Sequence, residues 1–264
     1  MKRYIAVLKI GFKNALAYRT DFFLWGFNEF LGTLIFLFIW TVIFGEKNAI
    51  GGFTLPETIT YLIGTGLISN ITSTWVAHQM QKDIQSGWLS NMLIRPLSYS
   101  RVRLAMSISS KPVNLLIRTS VYIILAIFFR SKIILPTEIM SVFLVLVSVA
   151  IAFIISFLID FLVGCIAFWT TTTQGVNGIM GTIADIFSGN FAPLTFFPKW
   201  FQSTASFLPY SYTRYFPMLI YLRKLSILKA IEGIGVQILW VVILYFVSNF
   251  FWKKGIRKYE GVGI

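Results

Sequence analysis

Apolar residues run along this chain in long blocks, separated by shorter intervals rich in Lys, Arg, Gly and Pro. Six blocks stand out, at 22–44, 57–77, 103–129, 139–168, 175–191 and 234–252, and the first is long enough to cross a hydrocarbon core of about 30 Å at about 1.5 Å per residue. Each predicts a transmembrane helix. The second is rich in Thr, Ser and Gly, small residues that let helices approach closely, so its place is inside a bundle. Lys111-Pro112 sets a kink early in the third. The fourth is long for a straight crossing and predicts a tilt or a break near Gly164. Ahead of these blocks, residues 1–20 repeat Ile5, Leu8, Phe12 and Ala15 at helical spacing, with Lys2, Lys9 and Lys13 on a neighbouring face. That pattern predicts an amphipathic helix lying on the membrane surface. A basic lead-in to the first crossing is the plainer alternative.

Two intervals depart from simple loops. The first, 79–100, contains DIQSGWLSNMLIRPLS over residues 83–98. Ser86-Gly87 can open a short helix in which Trp88, Leu89, Met92 and Leu93 share one apolar stripe. Pro96 ends it, and Arg95 before the proline is pushed out of helical geometry. A short amphipathic helix between two crossings has only lipid or another protein to bury against, so this is a candidate docking helix. The second interval, 192–217, holds half of the chain's eight prolines, Pro193, Pro198, Pro209 and Pro217, among many aromatic residues. Repeated proline removes backbone donors and breaks a helix into short pieces. Trp200 and its aromatic neighbours suit the membrane–water boundary. The expectation is a break at Ser188–Gly189 followed by short re-entrant or interfacial segments; the alternative is an ordinary loop with aromatic anchors.

Composition agrees with this picture. Of 264 residues 56% are hydrophobic and 12% charged, with a mean hydropathy of +0.76; soluble domains carry about 25% charged residues. The fold class predicted is all-α integral membrane, one transmembrane domain over 1–264. The net charge of +13 is read as Lys and Arg fringing the spans against anionic headgroups. Most of the basic residues fall on one side: Lys2, Arg3, Lys9, Lys13 and Arg19; Lys82, Arg95, Arg101, Arg103 and Lys111; and Lys253, Lys254, Arg257 and Lys258 in the tail. The opposite loops hold fewer, namely Lys47, Arg130, Lys132, Lys199, Arg214, Arg223, Lys224 and Lys229. The positive-inside rule therefore puts both termini and the 79–100 segment in the cytoplasm.

Glu29, Arg118, Asp160 and Asp185 fall inside the predicted spans. Each costs about 2.5–3.5 kcal/mol at a helix centre on insertion scales, so such residues face the bundle interior and pair. Arg118 is the candidate partner for Asp160 or Asp185. Their functional reading is a translocation path or proton relay; the structural one is an ion pair fixing helix register. The rest of the chemistry is sparse. There is one histidine, His78, and one cysteine, Cys165, which leaves no metal site and no Ser–His–Asp triad to build. No G-x-x-x-x-G-K-S/T phosphate loop is present. Work against a gradient would have to draw on a partner or an ion gradient.

Taken in order, the basic amphipathic N-terminal segment, DIQSGWLSNMLIRPLS after the second span, and FSGNFAPLTFFPKWF followed by LPYSYTRYFP before the last resemble the permease subunits of ABC-2 type ABC transporters. The resemblance covers nearly the whole chain. It implies a six-helix half-transporter in the bacterial cytoplasmic membrane, with short re-entrant helices on the outer side between helices 5 and 6. It implies partners: a dimer of cytoplasmic ATP-binding subunits carrying ATP and Mg, and a second permease, identical or paralogous. This chain itself would be a non-catalytic subunit without cofactor. Asp83, Gly87, Trp88, Leu89, Leu93, Arg95 and Pro96 would occupy the coupling position. Ser188, Gly189, Pro193, Phe197 and Pro198 match the family's Ser-Gly…Pro…Phe-Pro signature. Substrate would pass between two permeases, along the first, second and fifth spans. The coupling segment departs from the family pattern in having Gln85 and Ser90 where acidic residues are expected. The competing readings are a stand-alone proton-coupled transporter using Glu29, Asp160 or Asp185, and an intramembrane enzyme, which the scarcity of His, Cys and clustered acids disfavours.

Overall fold

A computed structural model describes residues 2–17, 19–170 and 174–259. The side chains of Lys2, Arg3, Tyr4, Ala15, Arg19, Thr20, Asp21, Phe22, Trp25 and Gln174 lie outside what is described. Helices carry the fold; the β structure among the described residues is an isolated bridge between Ile50 and Phe53. In chain order the helices are α1 (Lys2–Ala17), α2 (Arg19–Phe44), α3 (Leu55–Thr72), α4 (Val76–Gln85), α5 (Trp88–Leu93), α6 (Tyr99–Phe128), α7 (Ile139–Cys165), α8 (Gln174–Phe187), α9 (Lys199–Ser206), α10 (Tyr215–Tyr221) and α11 (Ile227–Lys258). Short 3-10 turns at 130–132, 166–168, 194–196 and 209–212 join or extend them.

Among the described residues four stretches are long and apolar enough to cross a membrane: Gly26–Phe44, Tyr99–Phe128, Ile139–Phe168 and Ile227–Lys258. Their outward faces carry large apolar side chains such as Val42, Leu116, Ile139 and Phe246. In water these would be unfavourable; in lipid they are the expected surface. The protein is a multi-pass all-α membrane protein.

Helix ends are locally encoded. Thr54 and Glu57 form a reciprocal capping box at the start of α3, with Pro56 in its first turn. The Ser226 side chain accepts from the Lys229 amide at the start of α11. α6 passes through Pro112 as one helix. α7 ends as an α-helix at Cys165 and tightens into a 3-10 turn at Ile166–Phe168.

α7 is central, packing on α11, α4, α3 and α10, while α6 gathers α1, α2 and α3. One apolar core joins Met80, Leu89, Met92, Val102, Ile155 and Phe161 at the α4–α5 end. A second joins Leu37, Ile59, Tyr61, Tyr122, Val149 and Met218 at the opposite end. α1 meets α6 at Gly11, where a Cβ would stand 2.0 Å from Ser109 Oγ. Ile5 and Phe12 of the predicted apolar stripe are left exposed.

The block at 57–77 is not one helix. α3 stops at Thr72, Ser73 to Trp75 are unwound, and α4 begins at Val76. Both new ends are capped from other helices. The Lys111 ammonium donates to the carbonyls of Asn70 (3.2 Å) and Ser73 at the end of α3. The Asp160 carboxylate accepts from Thr74 Oγ1 (2.6 Å) and from the Val76 amide at the start of α4. A cation at a helix C-terminus and a carboxylate at an N-terminus each oppose the local dipole, which stabilises both ends at the break.

Candidate functional site

The segment between α3 and α6 folds as an elbow. α4 runs to Gln85, Gly87 turns the chain at φ +71°, and α5 covers Trp88–Leu93. A positive φ here is the conformation that glycine adopts without steric penalty. The stripe predicted for docking divides. Leu89 and Met92 are 0% and 4% exposed and sit in the chain's own core with Met80, Val102, Ile155 and Phe161. Trp88 is partly buried there too. Leu93, Ile94, Arg95 and Pro96 remain outside, and Ile94 is 84% exposed. The expectation that this stripe has only lipid or a partner to bury against is thus corrected, because α4, α6 and α7 fold over it.

Asp83 is also turned inward. It is ion-paired with Arg103, and Tyr99 donates its hydroxyl proton to Asp83 Oδ2 at 2.5 Å. Arg103 Nε donates to the Tyr99 hydroxyl at 3.1 Å. The guanidinium lies 5.0 Å from the Trp88 ring centre and 5.4 Å from that of Tyr99. Tyr99 in turn stacks on Trp252 of α11, centroids 4.9 Å apart and planes 8° from parallel. Ser90 and Tyr259 are joined by a 3.0 Å hydroxyl hydrogen bond. The elbow is therefore locked to the start of α6 and the end of α11. Tyr99 and Trp252 were not singled out in the sequence, since nothing local joins positions so far apart in the chain.

At the opposite end, α8 stops at Phe187 and Gly189 takes φ +74°. Four groups hold this turn. Tyr61 donates to the Gly189 carbonyl at 2.6 Å, Trp40 Nε1 to that of Phe191 at 2.9 Å, and the Tyr215 amide to that of Ser188 at 3.1 Å. Arg214 Nη1 donates to Asp185 Oδ1 at 2.6 Å and to Ser188 Oγ at 3.1 Å. Pro193 precedes the 3-10 turn at Leu194–Phe196, and Pro198 caps α9. Phe197 packs on Phe201 at 4.7 Å, and the Gln202 side chain holds the Phe197 carbonyl at 2.8 Å. Trp200 and Phe207 point outward.

The charges expected inside the membrane pair differently from the expectation. Arg118 is bound to Glu29, not to Asp160 or Asp185. Asp185 is matched by Arg214, and Asp160 has the α3–α4 break with Lys111 nearby. Glu29 and Asp185 are thus ion-paired with arginines, because Arg214 returns from the 192–217 interval, whereas Asp160 caps the helix break and Lys111 turns inward beside Pro112 to the Asn70 and Ser73 carbonyls. Among the described residues no group of three His, Cys, Asp or Glu converges to hold a metal.

Asp160 also borders a cleft of about 240 Å³ between the break, α7 and α8, with Thr74, Trp75, His78, Asn177 and Gly181 on its walls.

No curated protein matches the chain. A family model described as "ABC-2 family transporter protein" matches residues 30–263, which include both ends of the bundle and the cleft between them. The chain belongs to the ABC-2 family of transporter proteins.

Proposed function

We propose that this chain is the permease subunit of an ATP-driven exporter in a bacterial cytoplasmic membrane. It forms half of the translocation pathway and couples to separate cytoplasmic ATP-binding subunits that carry ATP and Mg. The observation that carries the proposal is the elbow: an exposed apolar tip, Leu93–Ile94, on a base locked to α6 and α11. An apolar tip can insert into a groove on a partner. A rigid base moves whole helices when the tip moves, whereas a flexible loop would absorb the displacement. Arg95 and Pro96 flank the tip. Asp83, Gly87, Trp88 and Leu89 shape its base and hold it.

The same reading completes six crossings. α3 with α4 makes the second. α8 makes the fifth; its 14 residues reach about 21 Å at 1.5 Å per residue, and the turn and short helices up to α10 fill the remaining depth from the outer side. Trp200 and Phe207 anchor that region at the interface. Both termini and the elbow face the cytoplasm, and a second permease, identical or paralogous, completes a path along α2, α3 and α8.

The test is affinity purification of the full chain from native membranes in mild detergent, with an assay of ATP hydrolysis. Co-purification of a phosphate-loop ATPase is expected. Ile94→Asp and Leu93→Asp should release the ATPase while the chain still inserts and elutes as a single species. Leu89→Asp should instead misfold, since it places a charge in the core. A chain that purifies alone under every condition would overturn the proposal. It would favour proton coupling through Asp160, because Glu29 and Asp185 are already ion-paired with arginines.

A further inference from the structure

The cleft beside Asp160 has a chemistry that the coupling role does not use. Its carboxylate is held by the Thr74 hydroxyl and the Val76 amide, both neutral donors. The nearest ammonium, Lys111, is drawn off to the Asn70 and Ser73 carbonyls and lies 5.4 Å from the centre of the Phe153 ring. His78 stands on the cleft wall in α4. Trp75 is half exposed at the unwound stretch, its ring edge-on to His78 with centroids 6.4 Å apart. Across the cleft, α8 presents Met180 and Gly181, and a Cβ added to Gly181 would meet no atom within 4 Å. The space therefore has one anionic corner, one aromatic plane and one apolar wall.

We propose that this cleft binds a lipophilic organic cation, with its ammonium beside Asp160 and its apolar body between Trp75 and Met180. A carboxylate in a partly desolvated site attracts a cation more strongly than in water, and an indole ring adds cation–π attraction. A poorly hydrated quaternary ammonium suits such a site better than a metal ion, which would need several oxygen ligands. The cleft lies at the α3–α4 break, and α4 leads from it to the elbow. A cation drawing on Asp160 competes with the cap of α4, so occupancy is linked to the position of the helix that leads to the tip. That linkage rests on the permease reading; binding itself does not.

Binding is tested with benzyltrimethylammonium, radiolabelled, by equilibrium dialysis against the full chain and any co-purifying subunits in maltoside micelles. Saturable uptake above empty micelles is expected. Asp160→Asn, which keeps the acceptor for Thr74, should weaken it about tenfold. Gly181→Leu should abolish it by filling the cleft from α8 without touching Asp160, and it decides the question if the first variant fails to fold. The uncharged isostere neopentylbenzene should not compete. Displacement by added phosphatidylethanolamine would identify the natural occupant as a lipid amine, and no displacement a soluble cation. Equal binding by both variants and wild type, or no saturable uptake, would overturn the proposal. Because the readout needs no ATPase, its failure is distinguishable from a failure of the permease assignment.

Discussion

Gly189 places its missing side chain against the Tyr61 hydroxyl: a Cβ there would stand 2.4 Å from that oxygen, on a backbone already at φ +74°. Two independent penalties thus fall on one substitution. Gly189→Ala should destabilise the protein by about 1–3 kcal/mol, read as a lower unfolding temperature in micelles. Tyr61→Phe added to it should relieve the contact but not the backbone strain, so recovery should be partial. Full stability of the single variant would show that the turn is not held as described. Dipeptide chemistry made this break legible, since Ser-Gly followed by repeated proline stops a helix wherever it sits. That Tyr61, Trp40 and Arg214 hold it was not legible, because they come from three other parts of the chain.

At the scale of helices, α2 and α6 are tied by Glu29 and Arg118. The arginine is well buried, while 31% of the glutamate side chain stays accessible. Arg118→Met should cost on the order of 2–3 kcal/mol, because it leaves a largely buried carboxylate without its partner, discounted for that accessibility. Glu29→Gln with Arg118→Met should recover most of the loss, since both charges are then gone. Additive losses in this cycle, measured by unfolding, would mean that the two side chains do not act as a pair. The apolar blocks that became α2, α6, α7 and α11 were readable because length and apolarity are local properties. The division of the second block into α3 and α4 was not. It depends on Lys111 and Asp160 arriving from α6 and α7 to cap the two ends.

The whole molecule has two unlike ends, an elbow with an apolar tip and a basic tail at one, and the proline-rich cap at the other. Cys165 is buried and is the sole cysteine, so Cys165→Ala provides a background for single-cysteine labelling. In intact cells an impermeant maleimide should label Trp200→Cys and spare Lys254→Cys, with both labelled after permeabilisation. The reverse pattern would invert the proposed orientation.

What the sequence determined by itself follows from short-range physics. Apolar runs of membrane length, prolines that break helices and basic fringes act through neighbouring residues and the surrounding lipid, so the all-helical membrane class, the long helices α2, α6, α7 and α11 and the places of the elbow and cap could be read directly. Tertiary structure alone decided which face of α5 is free, which cation meets which acid, and that Asp160 stands at a broken helix beside a cleft. Leu89 and Leu93 are chemically alike in the sequence. One is enclosed by α4, α6 and α7 and the other faces outward, because the direction of a side chain is fixed by helices that pack against it from distant parts of the chain.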